Sequence, residues 1–581
     1  MAPTSFRFLK ALCVGSAALM VVAACGTTTS NNSTSLASDQ TLKFPILGDF
    51  GTLDPGQLSV ETDSEIAQNV FNGLVKFDNN LNIVPDIAAS MPTVSADGLT
   101  YTFKLRQDVT FSNGDKLTSK DVLYSWNRAA ALQGAYAGNL AAIDGYAKVS
   151  TNTVGGAALE KLLEASDPAV TLSGLTAPDQ YTVVAKLSGQ AGWFMSAIAL
   201  EATSGMIVDQ NVVKTNFDNW WNTPATLIGT GAFKMTAYTP KTSVDFAAVP
   251  NWWGSPKPTL TKVHIDILGN ANSAITAYEQ GSYDIYGYGG YSNAPIDAIL
   301  RIQGTATEKN QLLLHPKVRT TWVQFNLIHD SRRTAGGPFL LSGGASAKNL
   351  RLAFALSVDK AKLATVVCHD IVCAPATGGL ITKGLIGYAG DNTDPLAKFD
   401  AAQAKQLLTQ GDPDGSKTKG LVYTYDPNNP LNGVVAQFLQ DQWQTNLGVH
   451  VDLQPVDHSA FVKGYLSGKY VLARNGWQAD YNHPQDWYDN LWGKIPGCPD
   501  SNCGSGYVTP AYDAAVAKAD SEPLTQAIPD YQAIGKMLQD DATYIPLYYS
   551  VGAFLFKPYL KGAGTNNFFD YYWNQIQIGS H

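Results

Sequence analysis

Alternating apolar and polar side chains mark Tyr101-Thr-Phe-Lys-Leu-Arg106, Val263-His-Ile-Asp-Ile267 and Val449-His-Val-Asp-Leu453 as half-buried strands. Between such stretches, apolar residues recur every three or four positions, the spacing of a helix with one face inward. Thr118-Ser-Lys-Asp121 has the form of a capping box, in which two side chains satisfy backbone N–H groups reciprocally. It opens a helix carrying Val122, Trp126 and Ala129 on one face. Val434, Val435, Phe438, Leu439, Trp443 and Leu447 make a second stripe, stopped by Gly448. Asp400 caps a third helix, with Ala404, Leu407 and Leu408 inward and Gly411 at its end. Gly229-Thr-Gly231 reads as a turn into a strand. The pattern is mixed α/β over the whole length, with no short internal repeat and no interior low-complexity linker.

The N-terminus departs from this pattern. Arg7 and Lys10 precede an uncharged apolar run from Ala11 to Ala24, the layout of a secretory signal. About 14 residues at 1.5 Å each fall short of a hydrocarbon core of roughly 30 Å, so the run predicts no transmembrane helix. The run ends Val21-Val-Ala-Ala-Cys25-Gly26, which resembles a bacterial lipobox. The resemblance implies removal of residues 1–24 and lipid attachment at Cys25; the alternative is an ordinary signal peptide with an incidental cysteine. Residues 25–41 are polar and carry no packing signal, as expected of a tether. The expected location is outside the cytoplasmic membrane, anchored to it by lipid.

The chain of 581 residues carries a net charge of -9, and no later segment is apolar enough to span a bilayer. An acidic chain without a basic run argues against nucleic acid as a partner. Cys368 with Cys373 and Cys498 with Cys503 are equally spaced pairs. They suit two local disulfides in an oxidising compartment, with a zinc site built from both pairs and His369 as the rival. No His-Glu-x-x-His, Gly-x-Ser-x-Gly or Gly-Lys-Ser/Thr phosphate loop occurs. His483, near Asp480 and Asp486, is expected to be a solvent-facing loop residue. Nothing identifiable predicts an enzyme, a cofactor or a metal.

Three ordered groups of residues carry a family resemblance. The first comprises Leu53-Asp-Pro55, Phe71-Asn-Gly-Leu-Val75, and Asp97-Gly-Leu-Thr-Tyr-Thr-Phe-Lys-Leu-Arg106 through Tyr124-Ser-Trp126. The second is Gly229-Thr-Gly-Ala-Phe233, Pro250-Asn-Trp-Trp-Gly254 and Ala277-Tyr-Glu-Gln-Gly-Ser-Tyr-Asp284. The third is Asn349-Leu-Arg-Leu-Ala-Phe-Ala-Leu-Ser-Val-Asp359, Arg474-Asn-Gly-Trp-Gln-Ala-Asp-Tyr-Asn482 and Ile545-Pro-Leu-Tyr548. Together they resemble the family 5 extracytoplasmic solute-binding proteins of ABC importers, the dipeptide- and oligopeptide-binding class.

The resemblance implies a two-lobe, periplasmic-binding-protein-like α/β fold of type II, with an extra domain inserted in the first lobe. It divides the chain into lobe 1 (42–72, 226–322 and a return at 546–581), the inserted domain (73–225) and lobe 2 (323–545). Trp322-Val-Gln-Phe-Asn326 and the Tyr544–Tyr549 segment become the strands crossing between lobes, and function becomes ligand capture by hinge closure. The implied partners are a peptide, permease and ATPase subunits, with the protein itself a monomer.

By the same resemblance Asp480 binds a peptide's α-ammonium group and Arg474 neutralises its carboxylate, with Trp477, Tyr481, Asn482 and Tyr136 around the pocket. Where relatives carry an acid after Leu-Asp-Pro this chain has Ser59, with Glu61 two residues on. A histidine that helps hold the carboxylate in oligopeptide binders falls on Asn432. Oligosaccharides, metal chelates, haem and opines are alternative solutes; an extracellular lipoprotein enzyme and a sensory lipoprotein are alternatives of another class.

Overall fold

The structure is a computed structural model that describes residues 35–200, 205–287, 294–329, 333–492, 506–507, 509–564 and 572–581. The signal, Cys25, most of the tether and the Cys498/Cys503 pair lie outside the described residues.

Thr41–Ile46 pairs in parallel with Lys262–Ile267, and Ser243–Ala248 and Phe233–Thr239 complete this four-stranded sheet by antiparallel pairing. A second four-stranded sheet, antiparallel throughout, is made of Thr93–Val94, Thr100–Lys104, Thr182–Lys186 and Leu175–Asp179. The largest sheet runs in the order Ile285–Tyr286, Tyr544–Phe556, Leu312–Phe325, Leu472–Gln478, Leu421–Tyr425, Val451–Pro455, with Cys373–Pro375 also on Tyr544–Phe556. This is the two-lobe arrangement of the type II fold.

Two long strands hold it together. Leu312–Pro316 pairs with Val551–Leu555, and Thr320–Gln324 pairs with Tyr544–Tyr549, so one antiparallel ribbon runs through both halves of the sheet. The register is interrupted between Pro316 and Thr320. Such an irregularity locally weakens the ladder and concentrates bending there.

Local signals in the sequence hold well. Thr118 and Asp121 form the capping box of Ser119–Leu132, with Asp121 Oδ2 accepting from Thr118 N at 2.8 Å, and Val122 and Trp126 are fully buried. Asp400 accepts from Gln403 N at 3.0 Å and caps Ala401–Gly411, where Ala404 is buried and Leu407 and Leu408 are half-buried. Gly448 ends Pro430–Leu447 at φ 76°, a conformation that favours glycine. One member of that helix's stripe departs: Val434 is 50 % exposed, because it sits at the rim of the apolar face. The strand expected from Val449 begins only at Val451.

Asp54 of the Leu-Asp-Pro stretch has a structural task. It is fully buried and takes both Arg128 terminal nitrogens, at 2.7 and 2.5 Å, while Trp220 Nε1 donates to it at 3.3 Å. Cys368 and Cys373 form a disulfide between Lys360–Cys368 and Cys373–Pro375, which removes two ligands from the zinc alternative. The first and last described residues meet: Leu36 bridges Gly579, and Ser580 N donates to Ser35 O at 2.8 Å.

Candidate functional site in the interlobe cleft

The strand Leu472–Gln478 leaves the large sheet through a tight turn that Asp486 organises. Asp486 is fully buried, and its Oδ2 accepts from Trp477 Nε1 at 3.1 Å and from Asp480 N at 3.0 Å. Two of the sequence-predicted residues are thereby fixed by a third that the sequence reading named only beside His483. Asp480 as a residue is half-buried.

Across the cleft, the Tyr136 hydroxyl of the 73–225 segment hydrogen-bonds the Asp480 carboxylate. Burial, and then the Asp486 carboxylate, push the Asp480 pKa well above the usual range, with the Tyr136 bond opposing them. A carboxylate so desolvated and crowded by a like charge gains more than an ordinary one from an incoming cation. The two sides also touch at Gly192, whose N–H donates to Asp520 O at 2.8 Å.

Arg474 lies on the same face of its strand as Gly476 and Gln478, six residues before Asp480. It is half-buried, and its Nε is enclosed without a hydrogen-bond partner. Burial, and then the neighbouring Arg319 guanidinium, lower its pKa. Neither Asp480 nor Arg474 is a surface ion-pair member.

The other predicted residues divide. Trp477 is half-buried and tethered to Asp486, forming a wall beside Asp480. Tyr481 is buried with its hydroxyl on Gln485, and Asn482 is buried with its Oδ1 accepting from Ile386 N at 2.8 Å; both are committed to the protein itself. Ser59 is exposed, whereas Glu61 pairs with Lys317 of the crossing strand at 3.7 Å. Asn432 is buried, donating to Asp426 O at 2.8 Å, so no cation replaces the histidine there.

His483 corrects an expectation. It is 2 % exposed, its ring meets Tyr531 edge-on at 5.5 Å, and burial lowers its pKa to about 3. Neighbours supplied by distant helices bury it, and no local pattern announces them. Among the described residues no group of three His, Cys, Asp or Glu side chains is placed to hold a metal ion, and no helix is long and apolar enough to cross a membrane.

Two lobes are joined by a crossing ribbon, and Asp480 and Tyr136 meet at their junction. Residues 82–497 match the family described as bacterial extracellular solute-binding proteins, family 5 Middle, and the chain belongs to that family of binding proteins. It is 25 % identical over 558 residues to the periplasmic oligopeptide-binding protein OppA of Salmonella typhimurium, covering 94 % of each chain. The probable deoxycholate-binding periplasmic protein YgiS of Escherichia coli is 26 % identical, over 94 % of this chain and 95 % of that one. Among solved structures, the Escherichia coli murein tripeptide binding protein MppA superposes with a TM-score of 0.73 at 24 % identity, covering 94 % of this chain and all of that one.

Proposed function

We propose that this protein captures short peptides with a free amino end between its lobes and delivers them, as a monomer, to the permease and ATPase subunits of an ABC importer. Asp480 carries the reading. Its pKa is raised by burial and by Asp486, and it meets Tyr136 from across the cleft. A peptide ammonium returns to it the interaction lost on leaving water. Arg474 takes the other end: its Nη2 lies over Gly476, four residues before Asp480. Contacts made only when the lobes close shift the population toward the closed form.

Calorimetry with tri- to pentapeptides, free and N-acetylated, tests this. Acetylation is expected to abolish binding, and Asp480→Ala to weaken free peptides by about 3–5 kcal/mol. Equal binding of acetylated peptides defeats the reading. The relative named as probably deoxycholate-binding supports a second one, an anionic amphiphile whose carboxylate meets Arg474. Deoxycholate in the same calorimetry, binding where peptides do not, would favour it. For the lipid anchor, Cys25→Ala is expected to abolish labelling by a palmitate analogue; undiminished label defeats that part.

A further inference from the structure

The arginines of the cleft outnumber what one peptide carboxylate needs. Arg319 faces Gln478 and Thr321 faces Gly476 across the pair formed by Leu312–Phe325 and Leu472–Gln478. Alternation along each strand therefore puts Arg319, Thr321, Arg474 and Gly476 on one face. The lack of a side chain at Gly476 lets these groups come together: a Cβ on it would lie 3.0 Å from Thr320 O, 3.2 Å from Arg474 Nη2 and 3.3 Å from Thr321 Oγ1, so Arg474 and Thr321 close over the glycine side by side.

Their surroundings are rich in unanswered hydrogen-bonding groups. Thr321 is 1 % exposed and its Oγ1 has no partner; Tyr423, fully buried, has a hydroxyl equally unpartnered; Arg474 Nε is the third. No carboxylate forms an ion pair with Arg319 or Arg474 among the described residues. Asp426, which acts on Arg474 electrostatically, is held by His458 Nδ1 at 2.6 Å, and Glu61 is held by Lys317. In a chain of net charge -9, two neighbouring cations left without counter-charge are a built asymmetry. Buried polar groups are ordinarily satisfied, and an anionic group has the acceptors that these donors lack.

We propose that this face binds a doubly anionic ligand end, Arg474 taking the terminal carboxylate and Arg319 an acidic side chain beside it. The preferred ligands are peptides whose last residue is aspartate or glutamate. This rests on the peptide reading above and narrows it.

The test uses peptides of three to five residues with free amino ends, ending either in Ala-Glu or in Ala-Gln, titrated into the full chain and its variants. The wild type is expected to prefer the glutamate peptides about tenfold or more, the scale of one charge-assisted hydrogen bond. Arg319→Gln is expected to erase the preference while leaving glutamine-peptide affinity within about twofold, and Arg319→Lys to restore part of it. Arg474→Gln is expected to weaken both series. Equal affinities in the wild type, or a preference that survives Arg319→Gln, overturn the inference. If peptides bind without preference only the inference fails; if no peptide binds, the peptide reading fails and takes the inference with it.

Discussion

Gly192 offers a way to disturb closure without touching the pocket. Its N–H donates to Asp520 O at 2.8 Å, and a Cβ built on it would fall closer than 3.0 Å to the Glu522 carbonyl oxygen. Its φ lies outside the left-handed region, so a side chain there acts through approach alone and not through backbone strain. Relieving the overlap requires the surfaces to separate by about an ångström, which takes the 2.8 Å bond beyond hydrogen-bonding distance. The net loss is about 1 kcal/mol, or roughly fivefold in any affinity that depends on closure. Gly192→Ala should therefore weaken ligand binding about fivefold, and Gly192→Val more, with the unliganded protein's melting temperature nearly unchanged. Small-angle scattering of the ligand-saturated Gly192→Val protein should give a larger radius of gyration than saturated wild type. Unaltered affinity together with an unaltered radius would show that this contact plays no part in closure.

Two other perturbations follow from charges already described. Asp480 should make binding pH-dependent. An ammonium favours the ionised form, so binding lowers a raised pKa, protons are released in that window, and affinity falls as pH drops through the free-state value. In the unliganded protein the sign reverses: the folded state holds the Asp480 proton more tightly than the unfolded one. This group therefore costs stability as pH rises from the ordinary 3.8 through its raised value. Calorimetry in buffers of different ionisation enthalpy should detect the released proton, and Asp480→Asn should abolish it; release persisting in that variant places the titration elsewhere. Arg128→Met strands the fully buried Asp54 and should cost about 3–5 kcal/mol in urea unfolding, most of it regained when Asp54→Leu is added. A single-variant loss under about 1 kcal/mol would contradict the burial of that pair.

What could be read in advance was what neighbours in sequence decide. The Thr118 capping box and the Asp400 cap are hydrogen bonds three residues long, so composition at fixed spacing reveals them. The Gly-Trp-Gln-Ala-Asp stretch pointed to Asp480 and Arg474 because the family resemblance spans it. What escaped was set by residues distant in the chain. The resemblance put Tyr136 near the pocket but did not give its hydrogen bond to Asp480 from some 340 positions away. His483 is buried by the helix containing Tyr531, and its own loop gives no hint of that. Arg319 belongs to no motif; only the register against Leu472–Gln478 brings it beside Arg474. Asn482 and Tyr481 sit inside the family stretch yet are spent within the protein, on Ile386 N and on Gln485.

The clasp between Ser35 and Ser580 ties both ends of the described chain to one half of the molecule. Gln40 reinforces it by donating to Ile578 O at 2.7 Å, so both ends of the described chain emerge side by side from the body that contains Thr41–Ile46. Any attachment at either end, whether a natural leader or an engineered tag, grips that same body. Under the proposed hinge closure, the half carrying Asp480 and Arg474 is the free jaw, and its swing is measured against the clasped base. A sensor chip loaded through a C-terminal tag would consequently leave the moving jaw unhindered, and a fluorophore pair reports closure best with one dye on the jaw and the other near the clasp.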